Sequence, residues 1–276
     1  MLKSVKGYYE VVMLLVLQII FAGNNAMSQI KNENNNTTKG LTITVVYDNN
    51  PMVEGLKTDW GFACFIEMGK TKLLFDTGDN GDILLNNMAK LGIDPKTIDL
   101  VFLSHFHHDH TGGLKDFLME NPNVVICYPQ SFPSQLTEMM KSSGAIPVPI
   151  SSFQKLQPDI FSLGELGESI PEQSLAIRTS KGIVVITGCA HPGIIAILEK
   201  AKSSFPGETI YLTMGGFHLH RLTEDEIRST INALVKLEIR TVGSSHCSGD
   251  AARKMFKEVY NGNYIQIGTG KVVTIK

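Results

Sequence analysis

Residues 102–114 of this 276-residue chain read FLSHFHHDHTGGL, with four histidines and one aspartate inside the six positions 105–110. The whole chain has eight histidines, so half of them share this one stretch. Imidazole nitrogens together with a carboxylate suit a divalent metal, and a catalytic zinc takes about three protein ligands plus water. His105 and His107 alternate, so both can face one side of an extended segment, while Asp109 and His110 follow at the turn into a helix. Six residues therefore offer ligands to more than one ion and complete neither coordination shell. The missing ligands have to come from elsewhere, and His191 and His246 sit at later strand ends where they could supply them. Two ions roughly 3.5–4 Å apart would share one hydroxide and activate it near neutral pH. The plain alternative is a solvated histidine tag. Tags lie in polar termini, however, and this stretch sits between an apolar strand and a Thr-Gly-Gly-Leu turn.

Further chemistry-bearing residues lie near other strand ends. His218 and His220, in GGFHLH, could contact substrate or donate a proton, with a structural role as an equal alternative. Gly215 and Gly216 would let backbone amides approach a substrate anion, or would simply make a turn. Cys189 and Cys247 each lie within two residues of a histidine. Cys64 and Cys127 fall in or at the end of strand patterns and read as buried thiols. Cys247 reads as a packing residue, and Trp60, the only tryptophan, as core.

These side chains need a scaffold that gathers separate strand ends. LTITVVY (41–47), WGFACFIEM (60–68) and TKLLF (71–75) are rich in β-branched and aromatic residues and read as strands. DILLNNMAKLG has helical apolar spacing and stops at Gly92, after which TIDLVFLS runs as an apolar strand into the histidine cluster. GGLKDFLMEN reads as a short helix and NVVICY as a strand. Residues 131–172 are ambiguous, with a helix near SQLTEMMKSSG and short strands around FQKL and DIFSL. The second half repeats the logic with a hairpin closed at Lys181-Gly182, a helix over GIIAILEKAKSS, and the strand TIYLTMGGFHLH. A helix over TEDEIRSTINALVKL opens on a capping box of Thr223 and Glu226, and IRTVGSSHCSG is a strand ending in His246. A helix from Asp250 and a final hairpin, YIQIGTGKVVTIK, close the chain. Strands followed by strand–loop–helix units in each half predict an α/β fold: an αββα sandwich of two mixed sheets, helices on the outer faces.

Hydrophobic residues make up 43% of the chain and the formal net charge is −2. That fits one large globular domain over 41–276 and gives no electrostatic reason to bind nucleic acid or anionic lipid. The first 28 residues differ. Lys3 and Lys6 precede the apolar run VVMLLVLQIIFAG, which is short for a membrane span, and Ala26 and Ser28 stand at −3 and −1 of a cut before Gln29. Residues 1–28 therefore read as a signal peptide and 29–40 as a disordered lead-in. The mature protein is expected to be periplasmic or secreted without stable membrane association; an uncleaved N-terminal anchor is the alternative.

The stretch HFHHDHTGG resembles the HxHxDH signature of the metallo-β-lactamase superfamily, and LLFDTG (73–78) resembles that family's preceding strand and aspartate. DNNPMVEGLKTDWGFACFIEMGKTKLLFDTG, TGCAHPGI, MGGFHL and SSHCSG resemble one subgroup more narrowly, the dihydropterin-methyl-ribofuranosylaminobenzene-phosphate synthases. The resemblance covers residues 41–276 and implies the αββα fold and two divalent ions, zinc first, with manganese or iron also compatible. It implies His105, His107 and His191 around one ion, and Asp109, His110 and His246 around the other. Asp76 would fix the ligand loop by hydrogen bonds, and His108 would line the cleft. Where many relatives place a bridging aspartate after a Thr-Gly strand end, this chain has Cys189, as a ligand or near-ligand, or else as a small buried thiol beside a water-completed ion. Asp109 and His218 are the expected catalytic side chains. The expected activity is hydrolysis of an ester or phosphorylated small molecule by metal-activated water; the subgroup's name implies a synthase displacing pyrophosphate as an alternative, and a metal-containing protein that only binds its ligand is another.

Overall fold

The structure, a computed structural model, describes residues 40–276, so the expected signal peptide (1–28) and the lead-in up to residue 39 lie outside the described residues. The first half comprises β1 (Leu41–Asp48), β2 (Phe62–Met68), β3 (Thr71–Phe75), α1 (Gly81–Lys90), β4 (Leu100–Phe102), a one-turn α2 (His108–Thr111), α3 (Leu114–Glu120), β5 (Val125–Pro129), α4 (Ser134–Ser142) and β6 (Ile146–Ile150). The second half comprises β7 (Ser152–Gln157), β8 (Ile160–Leu166), β9 (Glu172–Thr179), β10 (Gly182–Thr187), α5 (Ile194–Ser204), β11 (Ile210–Gly216), α6 (Glu224–Lys236), β12 (Thr241–Ser245), α7 (Asp250–Tyr260) and β13 (Val272–Ile275).

The strands form two mixed sheets, seven strands in the order β13-β1-β2-β3-β4-β5-β6 and six in the order β12-β11-β10-β9-β8-β7. Alternation along each strand explains the layering. Leu73, Phe75 and Phe102 point into the core shared with Leu175, Val184 and Ile186 of the other sheet. The residues between them, Leu74 and Val101, face outward onto Leu84, Leu114 and Phe117 of α1 and α3. On the other side Ile183 and Val185 face Ile197, Ile227 and Phe256 of α5, α6 and α7. Strands buried on both faces read as continuous apolar runs, which is what β4 and β10 show. Phe75 and Phe102 stack at 5.4 Å with neither exposed, each contributing roughly 1.5–3 kcal/mol by burial. The αββα sandwich is the architecture expected from the sequence.

Two local expectations change. The final segment is not a hairpin: Tyr264 bridges Val242 beside β12 in one sheet, whereas β13 pairs antiparallel with β1 in the other. Two apolar runs around Gly-Thr-Gly look like hairpin arms in sequence, yet here the turn crosses between sheets. The ambiguous region also holds a strand the pattern hid, β6 (IPVPI), whose prolines suit a sheet edge. The capping box of Thr223 and Glu226 is present.

Candidate metal centre

Parallel strands in each sheet release their chains at one edge, and the site residues come from those releases. β3 pairs in parallel with β4, and β10 with β11 and β11 with β12. Asp76 follows β3, the histidine cluster follows β4, Cys189 and His191 follow β10, His218 follows β11, and His246 follows β12. Asp76 (φ 52°), Ala190 (φ 59°), His218 (φ 53°) and His246 (φ 46°) all adopt left-handed backbone. Such conformations cost of order 1–3 kcal/mol each in a non-glycine residue and concentrate where function fixes the geometry.

Asp76 organises the first half of the centre. Its Oδ1 accepts from the Ser104 amide and its Oδ2 from the Ser104 hydroxyl and from His110 Nδ1, each at 2.7 Å. With its hydroxyl proton committed to Asp76, Ser104 Oγ accepts from His105 Nδ1 at 2.9 Å. Both rings therefore donate through Nδ1 and turn Nε2 inward. His246 is set the same way from the other sheet, with Nδ1 donating to Asn49 Oδ1 at 2.9 Å.

The result is two sets of converging donors. The ligand atoms of His105, His107 and His191 lie within 4.8 Å of one another, and so do those of Asp109, His110, Cys189 and His246. His105 Nε2 is 3.1 Å from His107 Nδ1, and Cys189 Sγ is 3.3 Å from His110 Nε2. His191 Nε2 and His246 Nε2 are buried with no hydrogen-bond partner among the described residues. His246 Nε2 does come within 3.2 Å of Asp109 Oδ2, but off the direction a hydrogen bond needs. Buried imidazole nitrogens without a hydrogen bond carry a desolvation cost that a cation would relieve. Nitrogen, carboxylate and sulfur donors in sets of three and four fit divalent cations.

Electrostatics separate the two sets. Burial drives His105 well below the usual imidazole range, with His110, His191 and His107 pushing the same way. Burial also lowers His107, and takes His191 down to about 4 with help from His218 and His107. These three rings are neutral near pH 7. For His110 burial opposes the charge, but the Asp76 carboxylate prevails and the ring goes up to about 9. Burial likewise works against the Asp109 carboxylate, yet His246 and His110 hold it well below the usual range. Burial pushes the Cys189 thiol far up, as expected of sulfur that becomes a thiolate only with a cation beside it.

Trp60, the Gly215–Gly216 pair and Cys247 stand differently from their sequence reading. Trp60 is not core: it is 46% exposed, and its ring sits 4.8 Å from that of His246. Gly215 and Gly216 do not offer amides to a ligand. Both belong to β11, the Gly216 amide donates to the Gly188 carbonyl at 3.0 Å, and a Cβ at Gly215 would meet the Thr187 carbonyl at 2.1 Å. They are small because the β10 end packs against them. Cys247 is buried, but its sulfur lies within 4.8 Å of Cys189 Sγ and of a ring nitrogen of His218 rather than only filling core. His218 and His220 are exposed, and the His218 ring lies 4.5 Å from that of His191. His108 is exposed and held by Asp79 at 2.8 Å. All four cysteines are free and buried.

Ser104 and Asn49, which orient His105 and His246, escaped the sequence reading, and so did Glu172. Glu172 opens β9 in the ambiguous region, fully buried, and receives the amides of Gly188, Cys189, Ala190 and His191. Its only local signal is a charged residue at the head of a strand that is otherwise buried.

A sequence model of the metallo-β-lactamase superfamily matches residues 61–246, and the chain belongs to that superfamily. It is 32% identical over 251 residues to the 7,8-dihydropterin-6-methyl-4-(β-D-ribofuranosyl)-aminobenzene-5'-phosphate synthase of Methanocaldococcus jannaschii, covering 74% of this chain and 84% of that protein. Among solved structures it superposes on a metal-dependent hydrolase of the β-lactamase superfamily with a TM-score of 0.70 and 27% identity, over 84% of this chain and 98% of that one. It shares its fold with the metallo-β-lactamase fold protein YhfI of Bacillus subtilis, at a TM-score of 0.64 and 15% identity over 86% of this chain and 99% of that one.

Proposed function

We propose that the protein is a hydrolase working with two divalent cations, zinc first and manganese or iron second, on an ester or a phosphorylated small molecule. One observation carries this reading: two adjacent donor sets at one sheet edge, with the buried Nε2 atoms of His191 and His246 lacking a hydrogen-bond partner among the described residues. His105, His107 and His191 would hold one cation, and Asp109, His110, Cys189 and His246 the other. Cations held there supply Lewis acidity and a bound water acidic enough to ionise near neutral pH.

The chain's own residues do the remaining work. Asp76, through Ser104 and His110, and Asn49, through His246, fix which ring nitrogens face inward. His218 stands exposed beside His191, and the neighbouring Cys247 raises its pKa. It is the residue we assign to protonating the leaving group. Beside it a cavity of about 210 Å³ is lined by Ile194, Ile195, Leu219 and Leu222 together with His191 and His218. This apolar wall suits the non-reacting part of a small substrate.

The 32% identity to the dihydropterin-methyl-ribofuranosyl-aminobenzene-phosphate synthase favours a second reading, which we take as transfer with displacement of pyrophosphate. One experiment separates them: metal-loaded protein is assayed on a panel of esters and phosphodiesters, with pyrophosphate release from a pterin-methyl donor followed in parallel. Metal-dependent turnover of the panel, lost in His105→Ala, supports the hydrolase. Pyrophosphate release with a condensed pterin product supports the synthase, and bound metal without either activity supports a ligand-binding role. We also take the chemistry to occur outside the cytoplasm, on the leader-like residues 1–28; sequencing the mature N-terminus checks this.

A further inference from the structure

Four consecutive backbone amides in the loop after β10 point at a single side chain. Glu172 Oε1 accepts from Gly188 at 3.0 Å, Cys189 at 3.1 Å and Ala190 at 2.9 Å, and Oε2 accepts from His191 at 2.9 Å. The left-handed Ala190 (φ 59°) curls the loop so that its amides line one concavity, an anion nest whose anion is supplied by the protein itself. The next residue ties β9 to the other sheet. The Gln173 amide donates to the Ser104 carbonyl at 2.9 Å, and its Nε2 donates to the Leu103 carbonyl at 2.8 Å. The loop cannot slide toward the first sheet either, since a Cβ at Gly188 would lie 2.1 Å from Ser104 Oγ. Two adjacent residues of β9 thus hold the ligand-bearing chain of both halves.

We infer that Glu172 is the positioning residue of the centre, its carboxylate fixing the loop from which Cys189 reaches one donor set and His191 the other. This rests on the two-cation reading above. Four amide hydrogen bonds of 2.9–3.1 Å to one buried side chain are directional, so the loop is held before any ligand arrives. The nest is filled, and a substrate anion has no access to those amides.

The asymmetry of the contacts gives the inference its test. In Glu172→Gln one oxygen remains. Turned toward Gly188, Cys189 and Ala190 it keeps three bonds and sets an NH₂ against the His191 amide. We expect this variant to lose affinity for one cation by about 10–100-fold, the range for residues that orient metal ligands, while the second cation binds as in wild type. With cobalt(II) as probe, the near-ultraviolet thiolate-to-cobalt band contributed by Cys189 should persist in Glu172→Gln and disappear or shift in Glu172→Ala. Competition with a chromophoric chelator and absorption spectra read these outcomes without an activity assay. Wild-type affinity for both cations in both variants would overturn the inference and leave the two-cation reading standing. A wild-type protein that takes up no zinc, manganese or cobalt would overturn that reading and this inference with it. Amide exchange in chelator-treated wild type decides the matter should the variants fail to fold: residues 188–191 should be protected, and rapid exchange there would sink the inference.

Discussion

The two donor sets lie side by side but differ in how the chain prepares them. His105, His107 and His191 are imidazoles alone, their pKa values lowered by burial, so no proton has to leave an imidazolium before a cation binds at neutral pH. Asp109, His110, Cys189 and His246 mix a carboxylate, a thiol and a ring held as imidazolium by Asp76. The first set is ready for a cation; the second has to give up protons to receive one. One edge of one fold therefore offers two sites of unequal proton cost, and the difference comes from what stands behind each ring.

The largest effect expected is at the ligands. Asp109→Ala should lower metal-dependent turnover by more than about 100-fold, beyond the 10–100-fold of residues that only orient ligands, and elemental analysis should find one cation fewer. His105→Ala should remove the other cation, and wild-type rates in either variant would break the assignment of the sets. Next comes Asp76→Asn, which weakens three 2.7 Å bonds. It should cost about 10–100-fold in affinity, more at the His110 set than at the His105 set, as read by chelator competition. Asn49→Ala removes the acceptor of His246 Nδ1. Its loss should sit at the low end of about 10–100-fold, since water can reach that partly buried bond.

Proton linkage in chelator-treated protein sharpens the contrast further. His110, at about 9 against an ordinary 6.5, stabilises the fold fully below pH 6.5 and loses that contribution as pH rises through 9. His191, at about 4 against 6.5, contributes fully above pH 6.5 and loses it as pH falls toward 4. Melting temperature should therefore peak near neutrality, with the alkaline limb flattened in His110→Asn and the acid limb in His191→Asn. An alkaline limb unchanged in His110→Asn would remove the electrostatic contrast. The smallest effect serves as a control: Thr223→Ala breaks the capping box of α6 and should cost about 1 kcal/mol of stability, with both cations bound as before.

The legibility of the centre follows the same division. His105, His107, Asp109 and His110 share six residues, so their spacing alone announces a metal site. His191 and His246 could be picked out because each follows an apolar strand, and strand ends in layered α/β folds gather at one edge. Glu172 could not, since a single glutamate in a strand carries no periodic signal and its four partners lie 16–19 positions away. Trp60 misled for a related reason: next to FACFIEM it reads as strand and core, but Gly61 (φ 140°) turns the chain before β2 begins.

Apolar periodicity and local ligand spacing, both properties of neighbouring residues, sufficed to determine the layered class of fold and four of the seven donor side chains. Tertiary structure alone decided which thiol meets which ring, that β13 crosses to the sheet opposite Tyr264, and that Glu172 anchors the Cys189–His191 loop. Those contacts join positions far apart in the chain, and only the packing of two sheets brings them within hydrogen-bonding reach.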